Sequence, residues 1–131
     1  MKVLALDYGS ARTGVAVSDP TGTVARPLEV VENASKENGL RRIVALVERE
    51  NVERIVVGLP ITLRGERGAQ AQETEAFVDA LRGLTEVPIE SFDERFTTKL
   101  AESQPRDAPA DAVAAAHLLS TYLEWQSALP S

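Results

Sequence analysis

Apolar positions along the chain change their period part-way. Val3-Leu4-Ala5-Leu6 is an unbroken apolar run that ends at Asp7, as expected of a central strand covered on both faces. Thr13 to Ser18 reads as a second strand, Asp19-Pro20-Thr21-Gly22 as a turn, and Pro27 to Val31 as a third strand. Short, turn-rich links between the three predict antiparallel pairing. Then the spacing becomes helical. Leu40, Ile43, Val44 and Val47 fall at i, i+3, i+4 and i+7, one face of a helix. Ile55-Val56-Val57-Gly58 is a short buried strand, and Phe77, Ala80, Leu81 and Leu84 repeat the helical spacing. Pro88 to Phe92 makes a fifth strand running into Asp93. A last helix spans about Pro109 to Gln126, with proline tolerated in its first turn.

Three strands, then helix, strand, helix, strand, helix, describe an α/β chain. The order predicts a mixed five-stranded sheet with its first three strands antiparallel and helices on both faces. No repeat, low-complexity segment or linker interrupts it, so a single domain over residues 1–131 is expected. Gly65 to Gly68 and Glu102 to Pro109 are the expected loops.

Composition narrows the chemistry. The chain has no cysteine and one histidine, which excludes disulfides, thiolate metal sites and a zinc site built from several histidines. Any metal must be held by oxygen, which points to magnesium or manganese. No apolar run approaches a membrane span, the first strand starts too early to leave room for a signal peptide, and a cytoplasmic location is expected. The net charge of −6 runs against the basic surface expected of a nucleic-acid enzyme. Either the acids solvate the surface, or some cluster where bound cations reverse the local sign.

Three acids are candidates for such a cluster. Asp7 ends the most apolar strand, at the sheet edge where open α/β sheets build sites. It is followed by Gly9 and Gly14, which would let a phosphate or metal approach the backbone. Asp93-Glu94-Arg95 follows the fifth strand and leads into Phe96-Thr97-Thr98: a metal ligand beside a phosphate clamp, or a solvated turn with an ion pair. Asp111 lies at the start of the last helix, one turn before Ala114 and Ala115, on the stripe expected to face the sheet. A carboxylate there would be costly without a partner; the helix start offsets part of that cost, and a cation would offset more. His117 falls on the opposite side of that helix, and Trp125 on the apolar stripe as core cover.

Taken in order, Asp7-x-Gly9 with Gly14, Val57-Gly58-Leu59-Pro60, Gly65 through Gln70, Asp93-Glu94-Arg95-Phe96-Thr97-Thr98 and Asp111-Ala112-x-Ala114-Ala115 resemble the YqgF/RuvX family. That family is related to the Holliday-junction resolvase RuvC and is described as processing the precursor of small-subunit ribosomal RNA. The resemblance covers nearly the whole chain and implies a ribonuclease H-like fold. It also implies a metal cluster of Asp7, Glu94 and Asp111, with Glu94 rather than Asp93 because the family places its essential acid there. Arg12, Arg64, Arg67 and Arg95, with Thr97 and Thr98, are the candidate substrate contacts. One departure is the segment from Thr98 to Asp111, which is short and carries only Lys99 and Arg106 as basic residues, where family members have a longer, lysine-rich stretch.

The reaction so implied is phosphodiester hydrolysis with two Mg2+ or Mn2+ ions roughly 4 Å apart. The substrate would be structured nucleic acid, with 5′-end processing of the 16S rRNA precursor as the first reading and resolution of branched DNA as the alternative. A non-catalytic nucleic-acid-binding module is the reading from another class, and the retained acids argue against it. No membrane partner is implied, and the chain would act as a monomer or homodimer.

Overall fold

A computed structural model of the chain describes residues 1–59, 68–93 and 109–128. The strands are β1 (Val3–Asp7), β2 (Arg12–Ser18), β3 (Ala25–Glu32), β4 (Arg54–Leu59) and β5 (Ile89–Asp93). The helices are α1 (Glu37–Glu50), α2 (Ala69–Arg82) and α3 (Ala110–Ala128). One sheet holds all five strands in the order β3-β2-β1-β4-β5. β1–β2 and β2–β3 are antiparallel, β1–β4 and β4–β5 parallel, as the link lengths predict.

The unbroken apolar run of β1 is explained by what covers it. Leu4 and Leu6 join a core with Ile43, Leu46 and Val47 of α1 and Phe77, Val78 and Leu81 of α2. Val3 and Ala5, pointing the other way, join Ala115, Leu118, Leu119 and Tyr122 of α3. α1 and α2 therefore cover one face of the sheet and α3 the other. Burying apolar side chains at about 25 cal/mol per Å² on both faces makes β1 the structural axis of the fold.

Three local features differ from the sequence pattern or refine it. β3 is an edge strand whose register against β2 shifts between Val15 and Ala16, which pair with Glu29 and Pro27. Proline has no N–H to give a ladder, and the extra residue keeps it at the edge. α1 ends at Asn51, which adopts a left-handed φ of 52° and turns the chain toward β4. α2 stops at Arg82, with Gly83 as its C-cap. Leu84, expected on the buried stripe, is instead 50% exposed: its N–H bonds the Leu81 carbonyl in a closing turn, which takes the side chain off the helical face.

The edge where β1, β4 and β5 begin, here the amino edge, is dense in paired polar groups. Glu50, at the end of α1, meets Lys2 at 3.2 Å, Arg49 at 3.3 Å and Arg26 at 3.4 Å. Tyr122 is fully buried. Its hydroxyl accepts from Arg54 at 2.8 Å and from Gln126 at 2.6 Å and donates to Glu90 at 2.8 Å. In the β2–β3 turn the Asp19 carboxylate accepts from the backbone N–H groups of Thr23 and Val24 at 2.8 Å and from the Thr21 hydroxyl.

Candidate active site at the carboxyl edge of the sheet

At the other end of the strands, the carboxyl edge, Asp7 is the last residue of β1 and is half-buried. Alternation along a strand puts it on the side of Val3 and Ala5, the α3 side. Its antiparallel partner is Gly14 of β2. A Cβ built on Gly14 would lie 1.8 Å from the Asp111 carbonyl oxygen, so only glycine lets the first turn of α3 rest on β2. Gly14 thus brings the start of α3, and with it Asp111, beside Asp7. At Gly9 a Cβ would fall 2.5 Å from the Arg12 carbonyl oxygen, which keeps the β1–β2 loop tight. Both glycines were expected to admit a ligand; they admit the protein's own backbone instead.

Asp111 sits in the first turn of α3, where the helix macrodipole favours a negative charge. It does not face the sheet as a buried residue would, because its side chain is 42% exposed. Its partner is Arg12, whose Nε lies 3.2 Å from the carboxylate. Arg12 opens β2 and shares a face with Gly14 two residues on. The sequence suggested Arg12 only as a phosphate contact; the Asp111 pairing joins residues 99 positions apart and leaves no local trace.

Tyr8, beside Asp7, faces the opposite way and was not singled out from the sequence. Its ring stacks on Phe77 at 4.5 Å and its hydroxyl donates to Glu73 at 2.7 Å. Burial, with the Glu73 carboxylate, pushes this phenol above its ordinary range. Tyr8 therefore fastens the loop after Asp7 to α2.

Asp93 ends β5 opposite Leu59 of β4. β4 separates β5 from β1, so the ends of the two strands lie about 10 Å apart by strand spacing. Ile89 packs with the α1–α2 core and Phe92 with the α3 core. By the same alternation Asp93 belongs to the set of Ile89, on the side away from Asp7 and Asp111. Glu94, Arg64, Arg67, Arg95, Thr97 and Thr98 lie outside the described residues. Among the described residues no three carboxylate or histidine side chains converge as a metal cluster would require; Asp7 and Asp111 are the two expected acids that can be placed. His117, expected to be partly exposed, is half-buried with Nε2 enclosed. Trp125 leans on Phe92 and Tyr122 with ring centroids at 5.6 and 6.1 Å but keeps 40% of its surface exposed, less covered than its stripe position implied.

A family model described as "RuvX: Holliday junction resolvase" matches residues 1–125. The chain belongs to the RuvX family. Among its relatives, a protein of Rubrobacter xylanophilus is 47% identical over 131 residues, covering 94% of this chain and 92% of that protein. One of Chloroflexus aurantiacus is 41% identical over 138 residues, covering 98% and 90%. Both carry the name "Putative pre-16S rRNA nuclease". In fold, the chain is similar to Thermus thermophilus RuvC in complex with a Holliday junction substrate, with a TM-score of 0.67 at 17% identity over 98% of this chain and 96% of that one. The Fowlpox virus resolvase in complex with Holliday junction DNA gives 0.57 at 13% identity, covering 96% and 99%. This chain thus shares the fold of those resolvases, a mixed five-stranded sheet with three antiparallel strands at one side.

Proposed function

We propose that this chain is a divalent-cation-dependent nuclease that hydrolyses phosphodiester bonds in structured nucleic acid, and that its substrate is the precursor of 16S rRNA. The observation that carries the reading is that Gly14, the β2 partner of Asp7, packs against the backbone of Asp111 at the start of α3, at the carboxyl end of β1. Membership of the RuvX family and the names of the relatives at 41–47% identity supply the reaction class and the RNA.

The donor set fits a hard cation. Both placed groups are carboxylates, and the chain has no cysteine and a single histidine, so oxygen ligation of Mg2+ or Mn2+ suits it. Asp7, Glu94 and Asp111 would hold the ions. Glu94 is preferred to Asp93 because Asp93 falls in the alternation set that faces α1 and α2. When bound, such ions neutralise charge on the phosphate and acidify a water. The protein's own part is to fix the carboxylates on rigid elements: Asp7 by the two-sided burial of β1, Asp111 by backbone packing on Gly14. Arg12 adds positive charge at the same place. Arg64, Arg67, Arg95, Thr97 and Thr98 are assigned to phosphate contacts on their motif positions. No described helix is long and apolar enough to cross a membrane, and a cysteine-free chain suits the reducing cytoplasm.

The test is a cleavage panel with Mg2+ and Mn2+ on single-stranded RNA, RNA duplexes, precursor-rRNA hairpins and four-way DNA junctions. Asp7→Asn, Glu94→Gln and Asp111→Asn should each remove most cleavage, and Asp93→Asn should not. Full activity in the first three would sink the reading, and a dead Asp93→Asn beside an active Glu94→Gln would exchange the two residues. A second reading, resolution of branched DNA, is favoured by the family's description and the junction-bound structures of the same fold; preferential cutting of the four-way junction would select it.

A further inference from the structure

Arg12 has two possible uses at this site, and the Asp111 pair bears on both. Compare it with the pair built by Arg42 and Glu29. There the guanidinium donates through two nitrogens at 2.6 and 2.5 Å, the bidentate fork of a permanent contact. Arg12 meets Asp111 through Nε at 3.2 Å, with 66% of the arginine and 42% of the aspartate side chain exposed. A pair so open to water is held weakly. It is not needed to seat α3 either, because Gly14 does that with backbone alone. The pair therefore has little structural work, yet it occupies a carboxylate assigned to cation binding.

We propose that Arg12 is a releasable counter-ion for Asp111: it holds this carboxylate until a divalent cation displaces it, and the freed guanidinium then turns to a phosphate of the nucleic acid. The proposal rests on the nuclease reading above and adds to it an order of events. A planar guanidinium suits a carboxylate and a phosphate equally, so exchange between them needs no new group. The exchange couples the two bindings, because each ligand frees the residue that the other uses, and such coupling is reciprocal. Arg12 is in this sense a positioning residue acting through Asp111 and then a contact to the substrate backbone.

Two measurements test it without relying on cleavage. In the first, Mn2+ binding is followed by calorimetry. Arg12→Ala should bind Mn2+ about two- to fivefold tighter than the unaltered protein, the range expected on removing one exposed competing ion pair. Arg26→Ala, which removes the same charge from the amino edge, should not. Equal affinities for Arg12→Ala and the unaltered protein, or an equal gain in Arg26→Ala, would overturn the proposal. In the second, a labelled RNA hairpin and a labelled four-way DNA junction are titrated in EDTA and read by fluorescence anisotropy. Asp111→Asn should bind either probe more tightly than the unaltered protein, because Arg12 is released, and the double variant Arg12→Ala/Asp111→Asn should lose that gain. Equal binding by the single and double variants would refute the exchange. Asp7→Asn separates the two levels of the argument. If it leaves Mn2+ binding unchanged, the nuclease site itself is misplaced. If it abolishes Mn2+ binding while Arg12→Ala changes nothing, only the role of Arg12 falls.

Discussion

The two ends of the sheet handle charge differently. At the amino edge three acids are crowded by donors: Glu50 by three cations, Glu90 by Tyr122 and Arg54, Asp19 by three backbone N–H groups and a hydroxyl. At the carboxyl edge Asp111 has one open ion pair, at the start of a helix that rests on a glycine. The amino edge holds the fold together, and its acids have their charge spent on neighbours. The pair at Asp111 is open to water, so its charge can be exchanged, as the proposed cation site would require.

The sharpest way to break this contrast is Gly14→Ala. Its Cβ has no room against the Asp111 carbonyl, so α3 must shift. Overpacking of this kind costs about 1–3 kcal/mol, and cleavage should fall with the melting temperature. An alanine variant of full activity would show that α3 need not rest on β2. Next, Asp7→Asn and Asp111→Asn should lose nearly all cleavage while keeping the melting temperature within about 3 °C, since each retains volume and sheds charge. A large loss of stability in either would make the carboxyl edge structural after all.

At the amino edge the expected result is the reverse. Tyr122→Phe leaves Arg54, Glu90 and Gln126 without their shared hydroxyl, and about 1–2 kcal/mol should be lost in urea unfolding. No loss there would mean that water replaces the hydroxyl freely. The smallest effect is on pH dependence. The Arg42 guanidinium holds the Glu29 carboxyl below its ordinary value of 4.5. Burial raises Glu50, but Lys2, Arg26 and Arg49 outweigh it and bring its carboxyl below 4.5 as well. The Thr21 hydroxyl and the turn N–H groups lower Asp19 from 3.8. A carboxyl depressed on folding adds stability above its unfolded pKa and loses it as pH falls through the folded one. Stability should therefore hold from neutral pH down to about 4.5 and decline below it, with a shallower decline in Glu50→Gln. An equally steep decline in that variant would remove Glu50 from the account.

Much of this was legible in the sequence because burial imposes periods. The two-sided run of β1, the i, i+3, i+4 spacing of α1 and the short links among the first three strands each state their structure locally. Leu84 misled because the helical spacing was carried past Gly83, a residue type that commonly closes a helix. Asp7 was readable from its strand end. Asp111 was readable as an acid at a helix start, but not its exposure, which depends on how α3 lies over β2. Long-range pairs left no mark: neither Arg12 with Asp111 nor Tyr8 with Glu73 could be found by spacing. The preference for Glu94 over Asp93 came from the family resemblance, because the parity of β5 cannot be read without its packing partners.

α3 reaches from one end of the sheet to the other, and this gives it the mechanics of a lever. Its upper end carries Asp111 and its lower part is clamped at Tyr122, 11 residues away, or about 16 Å along the axis. A tilt of a few degrees about that clamp would move the carboxylate by about an ångström, enough to cost on the order of 100-fold in a geometry-limited reaction. Loosening of the clamp with heat would thus detune the cation site while the fold is still intact. Cleavage would then fade several degrees before the protein melts, and the gap between the two temperatures would widen in Tyr122→Phe.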